Sequence, residues 1–162
     1  MTIRIIIFLS LILLSCAKEN KGYETQPQVN PYEVYKDGFK AFDSGDFFYA
    51  QKKFSEAELN FEIIEFAAKA SLMSSYCLYG INFYSEAIEN LNTHIKKYPA
   101  DKNIIYAYYL MAIIYFEQIA DEKKDVEPLL KAKDKIDFFI KKYPDSVYSL
   151  DLKFKKDLII NQ

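Results

Sequence analysis

The chain has 162 residues, enough for one small domain, and its 51% hydrophobic and 17% aromatic content lies far outside the disordered range. Twenty-one basic side chains against 23 acidic ones leave a formal net charge of -2, so no basic field exists to attract nucleic acid. Four Gly and five Pro are too few to punctuate the short strands of a sandwich or barrel, and the stretches of Ala, Leu, Ile, Lys and Glu favour an all-α fold. The two cysteines, Cys16 and Cys77, have no spacing that suits zinc, redox chemistry or a disulfide framework.

Arg4 precedes an apolar run, Ile5 to Leu14, that is about half the length a bilayer-spanning helix needs. It reads as a signal-peptide core over residues 1–15. Leu13-Leu14-Ser15-Cys16 resembles the bacterial lipobox, with Leu three places before the cysteine and a small residue at the cleavage point. Cys16 is therefore the expected lipid attachment site, since several acyl chains on one residue give stable anchoring. In the lipoproteins this resembles, Asp after the cysteine favours inner-membrane retention, so Ala17 at that place implies the outer membrane. Residues 16–30 are polar, contain one Pro27 and have no apolar period, the composition of a tether.

Asn30-Pro31 predicts a helix start, with Asn as N-cap and Pro in the first turn. Val34, Tyr35, Phe39 and Phe42 then recur at helical spacing up to the turn Ser44-Gly45-Asp46. Gly38, Ala50, Phe54 and Ala57 resemble the small–small–aromatic–small skeleton of a tetratricopeptide repeat, in which small side chains let two antiparallel helices approach and a ring fills the gap. The first repeat spans 31–65. A second, over 66–100, places Ser75, Ala87 and Leu91 at the same intervals, with a displaced turn at Gly80-Ile81-Asn82. A third, over 101–145, uses Ala112, Ala132 and Ile136. The second and third close on the same words, Ile95-Lys96-Lys97-Tyr98-Pro99 and Ile140-Lys141-Lys142-Tyr143-Pro144: lysines suit the negative end of a helix and proline stops it.

Those two prolines lie 45 residues apart, about eleven more than the usual period of 34. A charged insertion near 118–128 accounts for the excess, either as a solvated loop or as a partner contact. Residues 146–162 read as the first helix of an incomplete fourth repeat, running from about Val147 to Ile160. It carries two apolar stripes: Val147, Leu150, Phe154 and Leu158, and Tyr148, Leu152 and Ile159. One of them needs cover from a further helix, a subunit or a partner. The whole is a solenoid of antiparallel helix pairs expected to wind as a right-handed superhelix.

The lipobox, the tether, Asn30-Pro31 with Tyr35, and Gly45-Asp46-Phe47 resemble the BamD family of outer-membrane barrel-assembly lipoproteins. Tyr106-Ala107-Tyr108-Tyr109-Leu110, Tyr115-Phe116-Glu117-Gln118-Ile119 and Tyr143-Pro144-Asp145-Ser146 with Tyr148 and Asp151 are similar to its alphaproteobacterial branch. The resemblance implies five repeats in a full member and a periplasm-facing place on the outer membrane. It also implies the barrel insertase BamA, other assembly lipoproteins and unfolded barrel proteins as partners, with no chemical step and no cofactor beyond the lipid on Cys16.

The tyrosine-rich helix around 106–116 supplies the candidate protein-binding residues Tyr106, Tyr108, Tyr109, Tyr115 and Phe116. They cannot all point one way, so the helix offers packing, a peptide-binding face, or both. His94 is the sole histidine, which leaves no His pair for a metal and no triad without it. It reads as a packing residue, and Cys77 as a small buried hydrophobe. Two other functions stay open: a repeat lipoprotein scaffold for cell-wall or division proteins, and a periplasmic enzyme built around a buried carboxylate or His94.

Overall fold

A computed structural model describes residues 29–120 and 126–161. The leader, most of the tether with Cys16, and residues 121–125 of the charged insertion lie outside the described residues. The described residues form α1 (Pro31–Asp43), α2 (Phe47–Asn60), α3 (Ile64–Gly80) and α4 (Tyr84–Lys97), then α5 (Ile104–Glu117), a 3-10 turn (Gln118–Ala120), α6 (Val126–Lys142) and α7 (Ser149–Ile160). No strand occurs among them. Each helix packs chiefly on its neighbours in sequence, the quasi-one-dimensional arrangement of a tetratricopeptide-type solenoid.

Local chemistry sets the boundaries. Asn30 Oδ1 accepts from the Tyr32 N–H at 3.0 Å with Pro31 at the first helical position, and Asp46 Oδ1 accepts from the Tyr49 N–H at 3.1 Å to start α2. Between them Gly45 takes φ +81° with open space where a side chain would begin, so glycine is there for its backbone. The displaced turn after α3 uses Asn82 at φ 60° instead, the residue type that tolerates this region best after glycine.

Close approach holds each pair together. A Cβ on Gly38 would lie 3.1 Å from Lys53 Cβ and from two ring carbons of Phe54, so α1 and α2 meet only because that position is bare. Ala50, Phe54 and Ala57, then Ser75, Ala87 and Leu91, then Ala112, Ala132 and Ile136, are all fully buried. The core runs in slices. Phe54 lies with Ala41, Ala50 and Cys77 in the first; Leu78, Leu91, Leu110 and Ile114 fill the second; Ile113, Ile136, Phe139 and Leu152 fill the third.

Polar contacts tie the slices. Ser74 is a hub: its Oγ accepts from Gln51 and Asn90, each at 3.3 Å, and shares a 2.9 Å bond with Ser55, joining α2, α3 and α4. The two lysine–tyrosine–proline endings use different partners. Tyr98 OH and Lys97 Nζ both donate to Glu58 Oε1, at 2.8 and 2.9 Å, clasping the end of α4 to α2. Lys142 Nζ instead lies 4.2 Å from the Tyr108 ring centroid and 5.2 Å from that of Tyr143.

Two expected bounds shift. The last helix begins at Ser149 rather than Val147, because Ser146 Oγ accepts from the Tyr148 N–H at 3.3 Å and Ser149 Oγ donates to the Tyr143 carbonyl at 2.5 Å, holding the segment between as a turn. Val126 to Pro128 belong to α6 rather than to the inserted loop; proline is tolerated there because first-turn N–H groups have no intrahelical partner. Of the two stripes on α7, Leu152 and Ile159 are buried with Tyr148 beside them, and Val147, Leu150, Phe154 and Leu158 are exposed.

Replacing Phe54 with Ala should lower the unfolding free energy by about 3–5 kcal/mol. Leu150→Ala, on the exposed stripe, should stay within about 0.5 kcal/mol. Urea titration followed by circular dichroism checks both.

Candidate peptide-binding groove

In each pair the first helix faces one side of the solenoid. Phe39 and Phe42 from α1, Leu72, Met73 and Tyr76 from α3, and Tyr106 from α5 line an open groove of about 440 Å³, with Tyr148 at its far end. Lys69 and Asn103 are its other lining residues, so the groove carries one positive charge and no carboxylate. It exists because α3 and α5 are apolar nearly all round: the core between helices takes most of that surface, and Leu72, Tyr76 and Tyr106, packed on it, leave an edge open on this side.

The rings interlock. Phe42 packs on Tyr76 at 5.7 Å between centroids, and Tyr106 contacts Tyr109 at 6.0 Å and Tyr148 at 5.7 Å. Tyr109 and Tyr148 stack at 4.4 Å with an interplanar angle of 19°, and Tyr109 OH donates to Asp151 Oδ2 at 3.0 Å. Burial, reinforced by that bond, pushes the Tyr109 phenol up to about 12. Burial raises Tyr106 as well, with the surrounding tyrosines adding to it. Both hydroxyls therefore stay protonated at neutral pH.

The five aromatic residues singled out on this helix do not converge. Tyr106 lines the groove and Tyr109 stands behind it, supporting Tyr148. Tyr108 points to the other side, 5.5 Å from Phe138 and 5.7 Å from Tyr143. Tyr115 and Phe116 lie at the opposite end of α5, with Lys135 5.8 Å from the first ring centroid and Lys155 5.0 Å from the second. Sequence reasoning missed Phe39, Phe42, Met73, Tyr76 and Tyr148 as groove residues. The readable trace was the surplus of apolar positions on α1 and α3 beyond what one buried stripe uses.

With this geometry in view, a family model described as YfiO, Outer membrane lipoprotein, matches residues 27–162. The chain belongs to the YfiO family. It is 32% identical over 148 residues to a Caulobacter vibrioides protein named Outer membrane protein assembly factor BamD, covering 91% of this chain and 48% of that one. It is also 32% identical over 126 residues to the Rickettsia prowazekii protein of the same name, covering 78% and 50%. The chain thus spans about half the length of these YfiO-family relatives.

Away from the groove, His94 is fully buried, more enclosed than a merely packed surface histidine. Its Nε2 lies 3.3 Å from Oδ2 of the buried Asp101 without the alignment of a hydrogen bond, and the Tyr98 ring is 5.4 Å off. Among the described residues no three His, Cys, Asp or Glu gather as a metal site. Cys77 is buried as expected, and burial pushes its thiol up to about 12, which leaves it inert.

Burial holds the His94 imidazole below its ordinary value, against the pull of Asp101 and Glu58. An unfolded histidine, near 6.5, takes up its proton first as pH falls. The stability His94 contributes is complete above that value and is lost as pH drops toward the lower folded one. Unfolding free energy should therefore decline from about pH 7.5 to about pH 5.5. His94→Gln should flatten that slope in urea titrations at the two values.

Proposed function

We propose that this chain is a lipid-anchored scaffold of the outer-membrane barrel-assembly machinery, carrying its diacylglyceryl group on Cys16 and facing the periplasm. Its partners are a BamA-type insertase, other assembly lipoproteins and unfolded barrel proteins. The observation that carries this reading is the aromatic groove running across α1, α3 and α5 in a chain whose relatives are named assembly factors. The work of the protein is binding, with no chemical step.

The groove suits an extended segment bearing apolar and aromatic side chains. Phe39 is exposed, and Met73 and Tyr76 are half-buried and stand ready to exclude water from an inserted ring. Lys69 supplies a point charge for a carboxylate on the ligand. The half-buried Tyr106, Tyr109 and Tyr148 are already held by one another, so little side-chain freedom is lost on binding.

Truncating an interface aromatic that anchors a partner typically costs tenfold or more in affinity. Tyr106→Ala and Tyr76→Ala should each weaken binding of a fluorescent terminal peptide of an unfolded barrel protein by about that factor, read by anisotropy. Tyr108→Ala, on the other side of the same helix, should leave it unchanged. In-cell crosslinking from Tyr106 should recover barrel precursors, and from α7 an insertase; cell-wall proteins alone would sink the assembly role.

A further inference from the structure

Alternation of antiparallel helices gives the solenoid two edges. One carries the turns after α1 and α3. The other carries residue 29, where the described chain begins, the α2–α3 turn, the α4–α5 loop and the α6–α7 loop. Contacts place these together: the Tyr32 ring is 5.1 Å from that of Phe61, Lys102 Nζ is 2.5 Å from Glu65 Oε1, and Tyr106 meets Tyr148. This second edge exposes apolar side chains that no helix covers. Leu59 is 81% exposed, Ile64 71%, Ile63 and Tyr32 each 51%, and Val29 39%. Surface residues so placed are ordinary one at a time, but Val29, Tyr32 and Ile63 line one hollow at the junction of α1 with the α2–α3 turn, and Leu59 and Ile64 flank that turn in sequence.

We propose that this edge rests on the phospholipid surface, with Ile63 and Ile64 dipping into the headgroup region and Tyr32 at the boundary. The proposal rests on reading Cys16 as the lipidated residue. Cys16 lies thirteen residues before Val29, so the anchor holds this edge within at most about 45 Å of the bilayer. The opposite edge stands farther off by the length of a helix, about 20 Å for the thirteen residues of α1. A tethered surface meets the bilayer at a high effective concentration, so a modest apolar patch suffices.

The charges fit a zwitterionic layer. Glu65 is paired with Lys102 and Glu58 with Lys97, while Glu62 and Asp145 offset Lys96 and Lys141 in sign. Long lysine stems let the paired heads stay in water while the apolar residues descend. Tyrosine belongs at such a boundary, because its ring is apolar and its hydroxyl wet.

The test uses the lipidated full chain in phosphatidylcholine vesicles containing a lipid-borne nitroxide quencher. A fluorophore is placed at Glu62→Cys on the proposed face or at Ser85→Cys on the opposite edge; buried Cys77 does not react. Strong quenching at position 62 and little at 85, with the contrast lost in the fluorophore-bearing Ile63→Ser/Ile64→Ser variant, supports the proposal, given unchanged helicity by circular dichroism. Equal quenching at the two positions overturns it. So does a contrast that survives removal of both isoleucines, since the tether alone would then orient the domain. Cys16→Ser separates the two readings: if that variant floats with vesicles as well as the unsubstituted chain does, the anchor reading falls, whereas flotation that depends on Cys16, with equal quenching at the two positions, removes the docking face alone.

Discussion

The architecture depends on how closely two helices can approach. At Gly38 the backbone of α1 comes so near α2 that a methyl group would press on Lys53 and Phe54 at 3.1 Å. Ala50 and Ala57 keep the facing surface equally low, and Phe54 occupies the hollow they leave. The later pairs repeat the device with Ala87 and Leu91 and with Ala132 and Ile136, each buried without remainder. Small residues at one interval and a large one a turn later fix both separation and register. Once they are fixed, successive helices must alternate in direction. Turns then segregate to two edges, and the first helices of the pairs segregate to one face.

That segregation creates the groove. A helix such as α5 is apolar on more of its circumference than one neighbour can bury, so Tyr106, packed on the slice that holds Leu110 and Ile114, keeps part of its ring open to the groove. In a compact domain such a surface would be covered by another layer. A solenoid has no second layer, and its aromatic face persists as an open groove. Tyr148 extends this face past α5. Its stack on Tyr109, and the Tyr109–Asp151 hydrogen bond, link the groove's end to the start of α7.

The interval skeleton was legible in the sequence because spacings of twelve, four and three residues put Gly38, Ala50, Phe54 and Ala57 on facing sides of two helices whatever surrounds them. The helix start at Asn30 was legible because capping is local. Which stripe of an all-apolar helix meets its neighbour was not, since that depends on crossing geometry. Tyr106 and Tyr108 therefore looked equivalent in sequence, yet one lines the groove and the other packs beneath Lys142. The Ser55–Ser74–Asn90 hub was equally invisible, because its partners come from three helices and hydroxyls have no period of their own. The closing words of the second and third repeats are identical and in sequence look like one device. Their lysines nevertheless found a carboxylate in one case and aromatic rings in the other.

The groove and the docking edge constrain each other. The helices run from one edge to the other, so a segment lying across α1, α3 and α5 lies across their axes and parallel to the edge. In the proposed docking, with the edge bearing Ile63 and Ile64 on the lipid surface, such a segment would lie parallel to the bilayer and within about one helix length, roughly 20 Å, of it. On the proposed reading, an extended segment that laid one side-chain face on the aromatic rings would keep the backbone donors and acceptors of its lateral edges available to pair with another strand. Hydrocarbon admits a strand only when that pairing is complete. A scaffold that presents an extended chain flat against the membrane, with its pairing edge open, supplies the geometry this requirement imposes.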